Sequence, residues 1–200
     1  MSVPRRLSAS DRRAQLLDVA ARAFAERGFH GVSMEQLADG AGVTKPVLYQ
    51  HFASKRELYL ATVREAIAEM ESQVGMALED SSDNRERVRD AIAAYFGFVQ
   101  DRRFRLLLGA ERADDQAGRD EVDQAMQRMA QVVGALIAED AGLDPGEAQL
   151  LASGVRGLAT AGARWWLEHS GKDRERAVDL LAQLAWRGLA SFPGEEQPGA

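Results

Sequence analysis

The chain has 200 residues, a formal net charge of −6, 46% apolar residues and 28% charged ones. That is room for one or two domains with a real core, at a composition ordinary for a soluble globular chain. No cysteine is present, which excludes a disulfide framework and a thiolate zinc site and fits a reducing compartment.

No apolar segment of signal-peptide type follows Arg5 and Arg6, and no run approaches the roughly 18 apolar residues of a membrane span. The expected location is therefore cytoplasmic. Net charge divides unevenly: residues 1–56 hold nine basic and five acidic side chains, a net of +4, which leaves −10 for the remainder. A basic end on an acidic body is the asymmetry expected where only one end meets a polyanion.

In chain order, residues 1–9 read as a flexible basic arm. Ser8 or Ser10 can cap a helix to about Arg27 whose inner face is Leu16, Leu17, Ala20, Ala23 and Phe24. Gly28 supplies the stop, and Phe29 can fold back onto the helix end. Ser33 followed by Gln36 is a capping box opening a second helix, with Met34, Leu37, Ala38 and Ala41 inside. Gly42 sits where that helix must end in a sharp turn, a place for positive φ. Thr44 can cap a third, short helix, for which Pro46 suits the first turn. Val43, Leu48 and Phe52 complete a small core, and Ser54 with Glu57 forms another capping box opening a long helix to about Glu79. Two short helices around a glycine turn are the sequence shape of a helix-turn-helix.

Beyond the turn cluster at 80–84, helices are expected over Arg85–Gln100, Arg103–Arg112 and Glu121–Ala141, with a polar loop at Ala113–Gly118 and Gly142 as a stop. Asp144 and Pro145 open the next helix, to about Ser170, where Gly171 breaks it. The last spans about Asp173–Phe192, and Pro193–Ala200 reads as a disordered tail. No segment sustains a period of two, so the fold class is all-α.

The final pair of helices speaks to assembly. Ala177, Leu180, Leu181, Leu184 and Gly188 form one apolar stripe, broadened by Val178, Ala185, Trp186 and Leu189. A helix apolar on more than one side is buried from more than one side. In the preceding helix Ser153, Gly157 and Ala161 recur at four-residue spacing. Interior glycines cost roughly 1 kcal/mol each relative to alanine, for which close helix approach would compensate. Ser153, Gly157, Ala161, Leu181, Leu184 and Trp186 are therefore the expected interface of a homodimer, each chain giving two helices to a four-helix contact. The alternative is that both faces are filled within one chain.

On the helix after Thr44, Leu48 and Phe52 point inward, which leaves Lys45, Val47, Tyr49, Gln50 and the tip of His51 outward or at the rim. Lys45 can meet guanine or phosphate, Gln50 matches adenine, and Val47 can touch a thymine methyl. Tyr49, His51 and Lys55 suit phosphate, Lys55 at a helix start where an anion is favoured. Ser33 is a further DNA-binding candidate. Packing at the domain's edge is the competing role for Tyr49 and His51.

Residues 11–57 resemble the amino-terminal domain of the TetR family of bacterial transcription regulators. Ala-Ala-Arg-Ala-Phe-Ala-Glu-Arg-Gly-Phe at 20–29 is similar to the end of its first helix. Ala-Gly-Val-Thr-Lys-Pro-Val-Leu-Tyr-Gln-His-Phe at 41–52 is similar to its turn and recognition helix, and Ser-Lys-Arg-Glu-Leu at 54–58 to its fourth-helix start. Gly40 departs from the pattern, which usually carries a longer side chain there. Trp165-Trp166-Leu-Glu-His and the stretch 180–189 look like the dimer-forming end of many members. The resemblance implies Lys45, Pro46, Val47, Tyr49, Gln50 and His51 on the major-groove face, with Thr44 and Lys55 on phosphate. It implies a DNA-binding domain at 1–53 and an effector-binding and dimerisation domain at 54–192. It also implies a homodimeric repressor that leaves a palindromic operator when a small molecule binds.

An enzyme is the rival class. His30, His51 and His169 stand at separations that suggest no helical metal pair, and no glycine-rich phosphate loop is present. No cofactor or metal is expected. A helical interaction protein, or a small-molecule binder without controlled DNA release, is the other alternative. Tyr95, Phe96, Phe98, Met126, Met129, Trp165 and Trp166 could line an effector pocket, with Arg103, Arg105, Glu111, Arg156 or Arg164 adding polarity. Trp165 and Trp166 lie about 100° apart on a helix, so at most one can face a cavity squarely.

Overall fold

The structure, a computed structural model, describes residues 8–101, 105–107, 116–169 and 173–189. Among the described residues the regular structure is all helical: α1 (Ala9–Arg27), α2 (Met34–Gly40), α3 (Lys45–His51), α4 (Lys55–Glu79), α5 (Asn84–Gln100), α6 (Gln116–Ala141), α7 (Pro145–Glu168) and α8 (Arg174–Leu189). Residues 105–107, inside the expected Arg103–Arg112 helix, are also helical. The expected basic arm apart from its last two residues, the break at Gly171 and the tail at 193–200 lie outside the described residues.

Local chemistry sets the helix starts. Ser8, rather than Ser10, caps α1 by accepting from the Asp11 amide at 3.0 Å. The Ser33–Gln36 box closes in both directions, at 3.2 and 3.0 Å. Ser54 accepts from the Glu57 amide at 3.1 Å, while the Glu57 carboxylate reaches back to the Ala53 amide at 2.7 Å. Asp144 and Glu147 form a further capping box at α7. Thr44 is different: it occupies the N-cap position of α3 in an extended conformation, but its hydroxyl makes no capping bond. The expected glycine stops have positive φ, +70° at Gly28, +65° at Gly42 and +62° at Gly142.

Two helices begin earlier than their apolar period shows. Asp83 caps α5 by accepting from the Arg85 and Glu86 amides, which starts the helix at Asn84. The α6 helix begins at Gln116 rather than Glu121, taking in the last residues of the expected Ala113–Gly118 loop. Its first turn is polar, tied by Gln116–Asp120 at 2.7 Å and Arg119–Gln116 at 2.8 Å, pairs that stabilise a helix without apolar periodicity.

The chain forms two compact units, Met1–Ala68 with Arg102–Val122 and Glu69–Asp101 with Asp123–Ala200, so far as these are described. The first half of α4 thus groups with α1–α3, beyond the domain boundary expected after residue 53. In the first unit Leu16, Phe24, Leu37, Leu48, Phe52 and Leu58 are all buried, each contributing about 1.5–3 kcal/mol of apolar burial. Phe29 does return onto the end of α1: its ring lies 6.2 Å from Phe24 and 5.1 Å from Tyr59. The Gln15 amide donates to the Ala41 carbonyl at 3.3 Å, fixing α1 to the end of α2. A Cβ at Gly40 would stand 3.3 Å from Val19, so glycine here relieves a tight approach of α2 to α1.

In the second unit α5, α7 and α8 pack together. Arg89 on α5 donates to Asp179 at 2.9 Å and Glu175 at 3.1 Å on α8. The hydrogen bond to Asp179 is the main cause holding that guanidinium's pKa above its ordinary value. A side chain at Gly162 would collide with Leu181, so this glycine lets α7 and α8 approach closely.

Candidate functional site

The α3 helix is two-faced at the level of single residues. Leu48 and Phe52 are buried against the first unit's core. Thr44, Lys45, Pro46, Tyr49 and Gln50 are exposed, and Val47 and His51 are half-buried at the rim. The Arg13 guanidinium lies over the Phe52 ring at 4.8 Å, closing the end of α3 onto α1. The Thr44 hydroxyl, not spent on its own helix, stands at the entrance to this face.

Beside α3 lies a shallow polar concavity of about 540 Å³, bordered by His30, Ser33, Lys45, Tyr49 and Lys55. Lys55 is held there rather than waving in solvent: its ammonium sits 4.4 Å above the Phe29 ring, a cation–π contact. Partial burial pushes its pKa below the ordinary lysine value, because desolvation disfavours the charged form. A phosphate entering would restore a counter-charge to this ammonium and could also accept from Tyr49 and Lys45. Candidates for base contact and for phosphate contact thus border one concavity.

The second unit contains an apolar cavity of about 310 Å³ whose lining includes Leu136, Ile137, Leu151 and Trp186. It shares Leu78, Val88, Val133 and Val155 with a smaller space of about 90 Å³. Tyr95, Met126 and Met129, expected as pocket residues, line the smaller space, and Arg156 and Thr160 add polar atoms. Phe96 instead is fully buried against Trp166, their rings 5.8 Å apart. Trp165 is 52% exposed and stacks on His169 at 4.1 Å. Arg103 lies outside the described residues. The aliphatic lining from α4 to α7 (Val74, Leu78, Val88, Val133 and Val155) was not singled out from the sequence, where such positions are indistinguishable from ordinary core.

Two family models match the chain: "Bacterial regulatory proteins, tetR family" over residues 16–62, and "Tetracyclin repressor-like, C-terminal domain" over residues 73–200. The chain belongs to the TetR family. It is a DNA-binding transcriptional regulator and not an enzyme. Over 191 residues it is 38% identical to the HTH-type transcriptional activator FasR of Mycolicibacterium smegmatis, covering 94% of this chain and 87% of that one. It is similar to a TetR-like transcriptional regulator from Rhodococcus sp. RHA1 at 30% identity, with a TM-score of 0.73, 92% of this chain and 99% of that one being covered. A TetR-family regulator from Streptomyces coelicolor shares the fold at 22% identity and a TM-score of 0.74, with 92% of this chain and 91% of that one covered.

In this TetR-family chain α7 and α8 carry an exposed apolar stripe. Leu150 is 73% exposed, Leu180 49% and Leu184 62%, and Gly154, Gly157, Ala161 and Gly188 are exposed beside them. Added Cβ atoms at Gly154, Gly157 or Gly188 would meet nothing, so these glycines relieve no crowding within the chain. Of the expected interface residues, Gly157, Ala161 and Leu184 lie on the stripe. Ser153 is half-buried, its hydroxyl donating to the Gln149 carbonyl at 2.9 Å. Leu181 packs on Gly162 of its own chain, and Trp186 lines the larger cavity. Among the described residues no helix is long and apolar enough to cross a membrane.

Proposed function

We propose that this TetR-family regulator is a homodimer that reads a palindromic operator with two copies of α3 and leaves it when a largely apolar small molecule fills the cavity in the second unit. The observation that carries the DNA half of this reading is the exposed face of α3, where Lys45, Tyr49 and Gln50 stand outward on a helix anchored by buried Leu48 and Phe52. Base readout belongs to Lys45, Val47 and Gln50, and phosphate contact to Thr44, Tyr49, His51 and Lys55. Dimerisation is supported by the exposed leucines Leu150 on α7 and Leu180 and Leu184 on α8, apolar surface that packing against a second copy would take out of water. The ligand class follows from the aliphatic cavity lining. Val74 and Leu78 belong to the same helix, α4, that starts at Lys55, so a ligand that displaces α4 acts on the helix bearing a phosphate contact.

Gel-shift titration with the upstream region of the protein's own gene tests operator binding. Native mass measurement of protein from cells tests both the dimer and a retained small molecule. Failure to retard any fragment of that region would count against an operator there, and a monomer mass against the paired heads. On output, the resemblance points to a repressor, but the relative that matches 94% of the chain is named an activator. Activation is therefore the second reading. A promoter fusion assayed with and without the regulator decides the sign.

A further inference from the structure

Next to the smaller apolar space of the second unit lies another on the α4–α6 side. A space of about 260 Å³ between α4 and α6 is lined by Glu71, Gly75, Arg128 and Val132, and it shares Val74, Leu78 and Met129 with the apolar interior. Gly75 leaves open space where a side chain would stand, and Val132 is 54% exposed, so this space reaches solvent beside the residues it shares with the interior. Across this opening Arg128 donates to the Glu71 carboxylate at 3.0 Å through Nε and 2.9 Å through a terminal nitrogen.

The other rim is built more firmly. There Arg87 bridges to Asp140 at 3.5 Å and also donates to the Ser81 carbonyl at 3.3 and 3.2 Å, its side chain only 19% exposed. Arg128 is 53% exposed and Glu71 30%. An exposed ion pair of this kind is weak and screened by salt, so it opens readily.

We propose that Glu71 and Arg128 form a latch across a side entrance through which the apolar effector exchanges. This rests on the effector-cavity reading above. The pair lies on the path of the ligand and not at its resting place, so it controls rates rather than affinity.

The test is stopped-flow fluorescence of N-phenyl-1-naphthylamine, a neutral apolar probe, with the full-length protein. Arg128→Gln and Glu71→Gln each raise the association and dissociation rate constants about two- to fivefold, the range set by an exposed pair, while Kd stays within about twofold. Wild-type exchange quickens with ionic strength, and that dependence disappears in Arg128→Gln. The charge swap Glu71→Arg with Arg128→Glu restores the slow rates, and Arg64→Gln, which breaks another ion pair between α4 and α6, to Glu121, leaves them unchanged. Unchanged rates in both single variants, or acceleration by Arg64→Gln alone, overturn the latch. Val133→Phe, which narrows the interior, separates the two readings: probe binding lost in that variant places the probe in the cavity. Binding that survives it unaltered, or no binding to the wild type, removes the cavity reading and the latch with it.

Discussion

Lys55 and Gln50 are neighbours in role but differ in what their loss should do. Lys55 is fixed over Phe29 and partly desolvated, and the partner proposed for it is a phosphate, the same at every sequence. Lys55→Ala is expected to weaken binding to all DNA alike and to reduce the slope of log K against log salt by about one; an unaltered salt titration would remove its phosphate role. Gln50 is exposed on α3 and carries the donor–acceptor pair of an adenine reader. Gln50→Ala should cost about 1–3 kcal/mol on the preferred operator and much less on a sequence changed at the contacted base. Ser33→Ala acts on folding, since it removes the hydroxyl that accepts from the Gln36 amide and leaves the capping box with only the Gln36 side chain on the backbone amide of residue 33. About 1 kcal/mol is expected, seen as a lower urea midpoint with an unchanged m-value. These sites were legible because capping and turn chemistry are local: Ser33, Gly42 and Ser54 announce themselves within four residues. The unused Thr44 hydroxyl was not legible, because residue type permits a cap bond and only the side-chain rotamer decides whether it is made.

At the scale of elements, periodicity found the helices and left open which of their faces meet the same chain. The α8 helix is apolar on several sides, so its sequence could not say which leucines meet the same chain. The close approach at Gly162 decides it for Leu181, and Leu180 and Leu184 are left outward. The interface is therefore best probed with Leu180→Glu together with Leu184→Glu. That pair is expected to yield monomers by sedimentation with little change in helix content, because neither side chain fills the core. Persistence of a tight dimer would refute the stripe as the contact. Trp165 and Trp186 illustrate the same limit. Both are aromatic residues on amphipathic helices, and only packing assigns one to solvent and the other to a cavity wall. The polar first turn of α6 was invisible for a related reason, since apolar period carries no information where a helix is held by Gln116 and Asp120.

For the whole molecule, the proposed effector control requires a coupling between ligand and operator, and thermodynamics constrains it whatever the sign of the transcriptional output. If a ligand lowers operator affinity by some factor, operator DNA must lower ligand affinity by the same factor, because both measure one free-energy difference. A coupling of about 1–3 kcal/mol, typical of such systems, corresponds to a roughly 5- to 150-fold change in either direction. Any small molecule recovered with the protein can be judged by this equality. Its Kd is measured with and without saturating operator, and the operator Kd with and without saturating ligand. Equal ratios well away from one identify the effector. A ligand whose affinity ignores the operator occupies the cavity without controlling DNA binding, however tightly it is held. The Leu180→Glu, Leu184→Glu monomer supplies the structural counterpart. If the coupling acts through the spacing of two heads on adjacent half-sites, a monomer on a single half-site should bind DNA weakly and with a ligand-independent Kd. A monomer that still releases DNA on ligand addition would place the coupling inside one chain.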